Sequence, residues 1–142
     1  MPIPAATSHL SVLLTRAERR VARRVDVALR GSELTAEQWR VLSALVDGAG
    51  HPMSEIAGEA MVPAPTLTKL VDRLLDRALV RRGIDPADRR RVLVVLTDRG
   101  VELVDRLGTE VGHAEREVTS ALGEPETAEL MAILARLLER VP

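Results

Sequence analysis

The segment from residue 61 to residue 100 constrains the fold more than any other, because the spacing of its apolar residues changes partway along it. Between Pro65 and Ala78 the apolar residues recur every three or four positions, which predicts an amphipathic helix of ordinary length. Residues 79–82 and 91–96 have the composition of two short strands, and they flank the turn-forming sequence GIDPADRR. The segment therefore predicts a helix followed by a β-hairpin.

The charged residues of the same segment are mainly basic. Residues 61–100 contain nine basic and five acidic residues, although the whole chain has a net charge of -1. The polar face of the predicted helix carries Lys69 and Arg73, and the tip of the hairpin carries Arg89–Arg91. DNA phosphates are neutralised by one local surface, since more distant charges are screened. A basic helix beside a basic hairpin tip therefore predicts a winged helix that binds duplex DNA.

The composition of this 142-residue chain excludes several other classes of protein. Its length fits one domain, or one domain with an appendage. With no Phe, no Tyr and one Trp, it cannot form an aromatic platform for single-stranded nucleic acid. With no Cys, it has neither a disulfide nor a thiolate zinc site. It also lacks a signal segment and an apolar run of about 18 residues, so we expect a cytoplasmic protein with no membrane partner.

Two further helices are predicted before the basic segment. The first covers residues 8–30 and stops at Gly31. Thr35-Ala36-Glu37-Gln38 is a capping box, which starts a second helix that runs to Gly48 and places Trp39 in the core. The loop that follows contains His51, which we expect on the surface.

Two short connections complete the predicted helix-turn-helix. Ser54 is expected to cap a third helix over residues 55–61. The turn VPAP then leads into the basic helix, where Pro65 is tolerated in the first turn because its missing N–H would be unpaired there. No Ser or Thr is available in this turn to cap that helix.

The C-terminal part of the chain predicts two more helices with apolar stripes. Thr97 caps the first, which continues to Gly123, and the second follows Pro125. Together with the first helix of the chain they form a set too apolar and too thin to be stable alone. We therefore expect a homodimer, with dimerisation helices in residues 8–30 and 101–142 around a DNA-binding module of residues 35–100.

In the hairpin and the helices around it, the chain resembles the MarR (multiple antibiotic resistance regulator) family of winged-helix transcription factors. The wing pattern of that family, DxRxxxxxLTxxG, is matched by Asp88, Arg90, Leu96, Thr97 and Gly100. The resemblance spans essentially the whole chain, which would then be a single domain of residues 1–142. Two positions depart from the family pattern. Pro65 stands where such proteins more often have Ser, and Ala78 stands where a Gly usually ends the helix.

The resemblance implies a sequence-specific transcriptional regulator of duplex DNA, a ligand-responsive repressor that acts as a homodimer on a pseudo-palindromic operator. Its fold would be mostly α with a small β wing, a winged helix-turn-helix plus N- and C-terminal dimerisation helices. No cofactor is expected, and a small-molecule effector would bind in a cleft near Trp39.

The resemblance also assigns contacts. It places the polar face of the basic helix at the major groove and Arg90 in the minor groove, oriented by the Asp88 carboxylate. Arg73 would point toward a phosphate. The residues expected to contact DNA are Ser54, Thr66, Thr68, Lys69, Arg73, Asp88, Arg89, Arg90 and Arg91.

Other interpretations compete with each of these assignments. The polar helix face also fits a solvated surface, because Asp72 and Asp76 lie on it. Glu110, His113 and Glu117 have the spacing of three metal ligands on one helical face, but an ordinary exposed face is the simpler interpretation. No enzyme motif is present. The main alternative function is a winged helix used for protein–protein assembly without specific DNA binding.

Overall fold

The computed structural model of the protein describes residues 9–142, and Ser8, where the first helix was predicted to begin, lies outside them. The described chain is mostly helical with one small hairpin, so the predicted fold class is confirmed. In chain order the elements are α1 Leu10–Ala28, α2 Ala36–Ser43, α3 Met53–Ala60, α4 Ala64–Asp76, β1 Val80–Ile84, β2 Val92–Leu96, α5 Asp98–Thr119 and α6 Glu124–Arg140.

The chain divides into two compact units. One unit, residues 29–110, contains α2, α3, α4, the hairpin and the first half of α5. The described part of the other unit consists of residues 9–28 and 111–142, and it contains α1, the end of α5 and α6. Within residues 9–142 no helix combines the length and the apolar character needed to cross a lipid bilayer.

The core of the 29–110 unit is formed by the apolar face of α4 together with α2 and α3. Leu67, Val71 and Leu74 of α4 are almost completely buried, as the helical spacing predicted. Side chains of α2 and α3, including Leu42 and Ile56, are equally inaccessible. Each fully buried aliphatic side chain contributes about 1.5 to 3 kcal/mol. This core therefore fixes which face of α4 points outward.

The start of α2 confirms the predicted capping box. The Thr35 hydroxyl accepts from the Gln38 backbone N–H at 3.2 Å, and the Gln38 side chain accepts from the Thr35 N–H at 3.0 Å. Trp39, which was predicted to be core, is only half-buried. A Cβ atom added at Gly108 of α5 would lie 3.9 Å from its indole ring. The indole therefore lies at the edge of the core and close to α5.

The predicted cap of α3 is wrong. The helix begins at Met53, its N-cap residue is Pro52, and no side chain caps it. Ser54 therefore lies within the first turn and is exposed. The backbone carbonyl of Pro52 accepts from the N–H groups of Glu55 and Ile56, because the fixed φ of proline suits the extended conformation of an N-cap residue.

Arginine side chains hold two backbone segments in place. Arg40 of α2 donates its Nε–H to the carbonyl of Ala60 at 2.9 Å, which satisfies a free acceptor at the end of α3. Arg77, the C-cap residue of α4, donates to the carbonyls of Ser32 and Glu33 at 2.9 and 3.0 Å. These bonds tie the ends of α3 and α4 to α2 and to the segment before it.

The predicted helix ends lie somewhat beyond the observed ones. After α2 and α5 the backbone forms tighter hydrogen bonds between residues three apart. The Leu45 N–H bonds to the Leu42 carbonyl at 3.0 Å, and the Leu122 N–H bonds to the Thr119 carbonyl at 2.9 Å. The glycines that were predicted as stops therefore lie in the turns that follow. α1, α2 and α5 end at Ala28, Ser43 and Thr119, before Gly31, Gly48 and Gly123, and α6 begins at Glu124 rather than after Pro125.

The junction between α4 and β1 shows why a glycine would suit position 78, where this chain has alanine. α4 spans Ala64–Asp76 rather than Pro65 to Ala78, and Ala78 adopts a left-handed conformation with φ of 56°. The Leu79 N–H then bonds to the Leu74 carbonyl at 3.0 Å. Glycine adopts this conformation without strain, whereas alanine does so at a cost in free energy.

The hairpin has the predicted strands: β1 begins one residue and ends two residues later than predicted, and β2 begins one residue later and ends as predicted. β1 and β2 pair antiparallel, from Val80 opposite Leu96 to Ile84 opposite Val92. A further antiparallel bridge joins His51 to Val94, with backbone bonds of 3.1 and 2.9 Å. The loop between α2 and α3 thereby adds a one-residue third strand beside β2.

The start of α5 packs tightly on the junction. The Thr97 hydroxyl accepts from the Gly100 N–H at 3.0 Å, which confirms the predicted cap, and it donates to the Ala78 carbonyl at 2.6 Å. A Cβ atom at Gly100 would lie 2.0 Å from the Leu79 carbonyl oxygen. Only glycine fits this position without moving the backbone.

We predict that Gly100→Ala lowers the free energy of unfolding by about 1 to 3 kcal/mol, because the new methyl group overlaps the Leu79 carbonyl. The control is Gly58→Ala in α3, where no atom outside its own stretch of helix lies within 4 Å of the added Cβ. That change should stabilise the protein by about 0.5 to 1 kcal/mol. Urea denaturation of both variants measures the difference, and equal midpoints would contradict the close approach at Gly100.

We also predict that Ala78→Gly raises the free energy of unfolding by about 0.5 to 1 kcal/mol, because it relieves the left-handed alanine. Ala114→Gly, inside α5, is the matched control, and it should destabilise by a similar amount. Thermal melts of the two variants should shift in opposite directions. A loss of stability in both would show that Ala78 is not strained.

Candidate nucleic-acid interface

The outward face of α4 carries four of the nine residues predicted to contact DNA. Thr68, Lys69 and Arg73 are exposed and Thr66 is half-buried. The Thr68 hydroxyl donates to the Ala64 carbonyl at 3.2 Å, which leaves its oxygen able to accept. Within residues 9–142, no carboxylate lies within 4 Å of Lys69 or Arg73. The face therefore presents two unpaired cations and two hydroxyl groups.

Asp72, the acidic residue beside them, is paired. Its carboxylate accepts from the Arg82 guanidinium on β1 at 3.1 Å. Both side chains are more than half exposed, so this ion pair contributes at most about 1 kcal/mol. Its main effect is to offset the charge of Asp72 on this face.

Two aspartate side chains shape the turn between the strands. Asp85 accepts from the Ala87 N–H at 2.9 Å, and Asp88 accepts from the Arg90 N–H at 3.0 Å. These are local bonds that short acidic side chains make in turns. The expected contact between the Asp88 carboxylate and the Arg90 guanidinium is therefore replaced by one to the Arg90 backbone. Asp88 fixes the direction in which Arg90 leaves the turn and leaves its guanidinium free.

The three arginines of the turn are not equivalent. Arg89 and Arg90 are exposed and have no carboxylate within 4 Å among the residues that the structure describes. Arg91 donates from Nη2 to a Glu55 oxygen at 2.9 Å, and its Nη1 atom lies 3.9 Å from an Asp85 oxygen. Two arginines are thus free to bind an anion, while the third links the hairpin to α3.

Ser54 does not share a surface with the α4 residues. It borders a cleft of about 640 Å³ between the end of α2 and α3, together with Asp47, His51, Glu55 and Glu59. The acidic side chains around this cleft would repel phosphate. The structure therefore brings the α4 residues together on one face and the wing arginines at one turn, and it sets Ser54 among carboxylates.

A charged cluster around His51 was missed at the sequence level. The His51 ring lies between Asp47, 2.7 Å from Nε2, and Glu55, 3.0 Å from Nδ1. It is 26% exposed rather than a free surface side chain. The spacing of four residues between Asp47, His51 and Glu55 was the only signal in the sequence. The sequence predicts Asp47 in the second helix, His51 in the following loop and Glu55 in the third helix, so this spacing does not predict a contact between them.

Hydrogen bonds shift the pKa values in this cluster. The bonds to Glu55 and then Asp47 raise the pKa of His51. The Ala49 backbone N–H and then the His51 ring lower the pKa of Asp47. The His51 ring also lowers the pKa of Glu55, with a smaller contribution from Arg91. All three changes favour the charged forms.

Two of the three residues considered for a metal site, His113 and Glu117, contact each other, and Glu117 also binds an arginine. His113 Nε2 lies 3.9 Å from Glu117, and Glu117 also accepts from Arg24 of α1 at 3.3 Å. Within residues 9–142, no group of three or more His, Asp or Glu side chains is arranged to hold a metal ion. Glu117 is thus shared between two basic side chains.

Comparisons with known proteins identify the family of the chain. A sequence model of the MarR family matches residues 32–91. The transcriptional regulator PecS of Dickeya dadantii (strain 3937) is 32% identical over 140 residues, which cover 96% of this chain and 80% of PecS. Fifty-four curated proteins match significantly.

Solved structures show the same fold. The repressor CouR bound to a 23-mer DNA duplex superposes with a TM-score of 0.84 and 27% identity, over 97% of this chain and 98% of CouR. BpsR of Bordetella bronchiseptica, whose DNA binding is regulated by 6-hydroxynicotinic acid, superposes with a TM-score of 0.82 and 27% identity over the whole of both chains. The relationship to PecS and the matched family model confirm the resemblance predicted from the wing pattern: the chain belongs to the MarR family of winged-helix transcriptional regulators.

Proposed function

We propose that this protein binds a specific duplex DNA operator as a homodimer and that a small molecule controls this binding. The observation that carries the proposal is the set of cations without carboxylate partners on α4 and at the hairpin tip, namely Lys69, Arg73, Arg89 and Arg90. Cations of this kind neutralise phosphates and release counterions. The family consists of transcriptional regulators rather than enzymes.

α4 is the helix that enters the major groove. Its 13 residues span about 20 Å, and its inner face is held by the core, so its outer face is presented rigidly. Thr66, Thr68 and Lys69 contact base edges from the first half of the helix. Arg73, one turn further along, contacts a phosphate.

The hairpin provides the second contact. Arg90 enters the minor groove, where narrow A·T-rich sequences attract guanidinium groups. The Asp88 side chain holds the Arg90 backbone, so the arginine leaves the turn in one direction. Arg89, also exposed, contacts the adjacent phosphate. Arg91 bonds to Glu55 instead and holds the hairpin in place.

Exposed apolar side chains support the homodimer. Leu10 and Leu13 of α1 are more than half exposed, as are Met131 and Leu138 of α6. Large apolar surfaces on a single chain mark interaction sites. A two-fold dimer requires an inverted repeat in the DNA, with half-sites about 34 to 36 Å apart.

A small-molecule effector is supported by the similarity to BpsR, whose DNA binding is regulated by 6-hydroxynicotinic acid. An organic acid of this kind is therefore the first class of compound to test. A compound that releases this protein from its operator should also raise the melting temperature of the free protein, because a ligand stabilises the state that it binds.

Selection of bound duplexes from a random pool tests the function directly. An inverted repeat in the recovered sequences would establish specific binding and dimer symmetry together. A protein–protein adaptor, the alternative function, would enrich no sequence and would show no specific duplex binding at any salt concentration.

We predict that Lys69→Ala weakens operator binding by about 1 to 3 kcal/mol and changes the base preference at one position in each half-site. Arg106→Ala is the control, since it removes one exposed cation from a cleft lined by residues 31–33. It should leave base preference unchanged. The two variants are compared by fluorescence anisotropy on the operator and on single-base variants of it. An unchanged preference for Lys69→Ala would remove α4 from the proposed interface.

The wing makes a different prediction, because the Asp88 side chain acts as an acceptor rather than as a charge. Arg90→Ala should weaken binding to every duplex and reduce the salt slope by about one. Asp88→Ala should weaken binding as well, since the Arg90 N–H loses its acceptor. Asp88→Asn keeps an acceptor oxygen and removes a negative charge, so it should bind at least as tightly as the wild type. Equal binding by Asp88→Ala and the wild type would falsify the positioning role.

A further inference from the structure

His51 lies where the helix-turn-helix meets the hairpin. Its backbone forms both bonds of the bridge to Val94, so this residue extends the sheet by one position. Its side chain turns toward the cleft between α2 and α3. One residue therefore joins the wing through its backbone and the helices through its ring.

The ring contacts require a particular protonation state. Nε2 lies 2.7 Å from an Asp47 oxygen and Nδ1 lies 3.0 Å from a Glu55 oxygen. A carboxylate can only accept, and a neutral imidazole has one N–H to donate. Both bonds can form together only when the ring carries two protons and a positive charge.

The cluster continues into the wing. The second Glu55 oxygen accepts from Arg91 at 2.9 Å, and Arg91 also lies 3.9 Å from Asp85. Glu59 of α3 is the remaining charged group that lines the same cleft. A chain of contacts thus runs from Asp47 through His51 and Glu55 to Arg91, which is adjacent to Arg90.

We propose that doubly protonated His51 is a positioning residue for the wing: it fixes Glu55, which holds Arg91, and loss of the ring proton weakens binding of the protein to duplex DNA. This inference rests on the proposed function. The charged ring also places one positive charge beside two carboxylates near the DNA-binding turn. Loss of that charge leaves Asp47 and Glu55 without their shared donor and makes this surface more negative.

The direction of the pH effect follows from the pKa of His51, which the two carboxylates raise. A raised pKa in the folded state means that the stabilising contacts are complete below the unfolded value of about 6.5 and are lost as the pH rises through the higher folded value. The pKa values of Asp47 and Glu55 are lowered, so their contribution is lost only in acid. Duplex binding should therefore weaken as the pH rises through the folded-state pKa of His51, which lies above the usual value of about 6.5.

The first experiment needs no DNA. The three histidines of the chain are titrated by NMR, with assignment from His51→Gln. The His51 signal should titrate above the usual value of about 6.5, and its pKa should fall in both Asp47→Asn and Glu55→Gln. A His51 pKa at or below the usual value, or one that neither substitution changes, would overturn the proposed contacts.

The second experiment measures operator affinity from pH 6 to pH 9 at constant ionic strength. Wild-type binding should weaken roughly two- to fivefold over this range, as expected for one exposed charge contact. His51→Gln should bind with nearly the same affinity at every pH. His113→Gln, in the other unit, is the matched control and should keep the wild-type profile. Asp47→Asn should reduce the pH dependence while leaving the Glu55 to Arg91 bond in place.

The outcomes separate this inference from the proposed function. If the wild type binds DNA equally at all pH values, or if His51→Gln keeps the wild-type pH dependence, the positioning role of His51 is wrong while specific DNA binding stands. If no duplex is bound at any pH, the proposed function fails and the inference fails with it, whatever the NMR titration shows. Circular dichroism of each variant across the same range confirms that the fold is retained.

Discussion

The burial of one face of α4 is the interaction on which the rest of the 29–110 unit depends. Leu67, Val71 and Leu74 lie against α2 and α3, so rotating the helix would expose them to water. That exposure would cost about 1.5 to 3 kcal/mol for each side chain. The same cost therefore keeps the opposite face of α4 toward the solvent. The position of Lys69 is thus a consequence of packing, and no direct contact is needed to hold it toward the solvent.

The base of the hairpin is held by apolar packing, because Val80, Val94 and Leu96 are buried, and polar bonds add further links to the helices. β1 is tied to α4 by the pair of Arg82 with Asp72, and β2 is tied to the α2–α3 loop by the bridge at His51. Arg91 adds a bond to α3. Polar contacts of this kind are weaker and more responsive to pH and salt than apolar packing is. The polar links of the wing should therefore respond to pH and salt, whereas the buried base of the hairpin should not.

The sequence predicted those features that depend on local spacing or on residues close together in the chain. The α4 stripe, the capping box at Thr35 and the cap at Thr97 belong to this group. What the sequence did not predict depends on residues far apart, such as the pairing of His51 with Val94 or the half-burial of Trp39. The Ser54 cap was wrong because two local signals competed, and Pro52 provided the better one. The role of Asp88 required atomic detail, since an aspartate can bond either a backbone or a side chain two residues away.

The half-burial of Trp39 at the edge of the core has a practical consequence. The chain contains one Trp and no Tyr, so its intrinsic ultraviolet emission comes from a single side chain of known location. A Cβ atom at Gly108 would lie only 3.9 Å from that indole ring, and the ring remains partly accessible to water. A change in the approach of α2 to α5 alters the polarity around this one fluorophore. The protein therefore carries its own optical probe of this contact, and no label has to be attached to follow it.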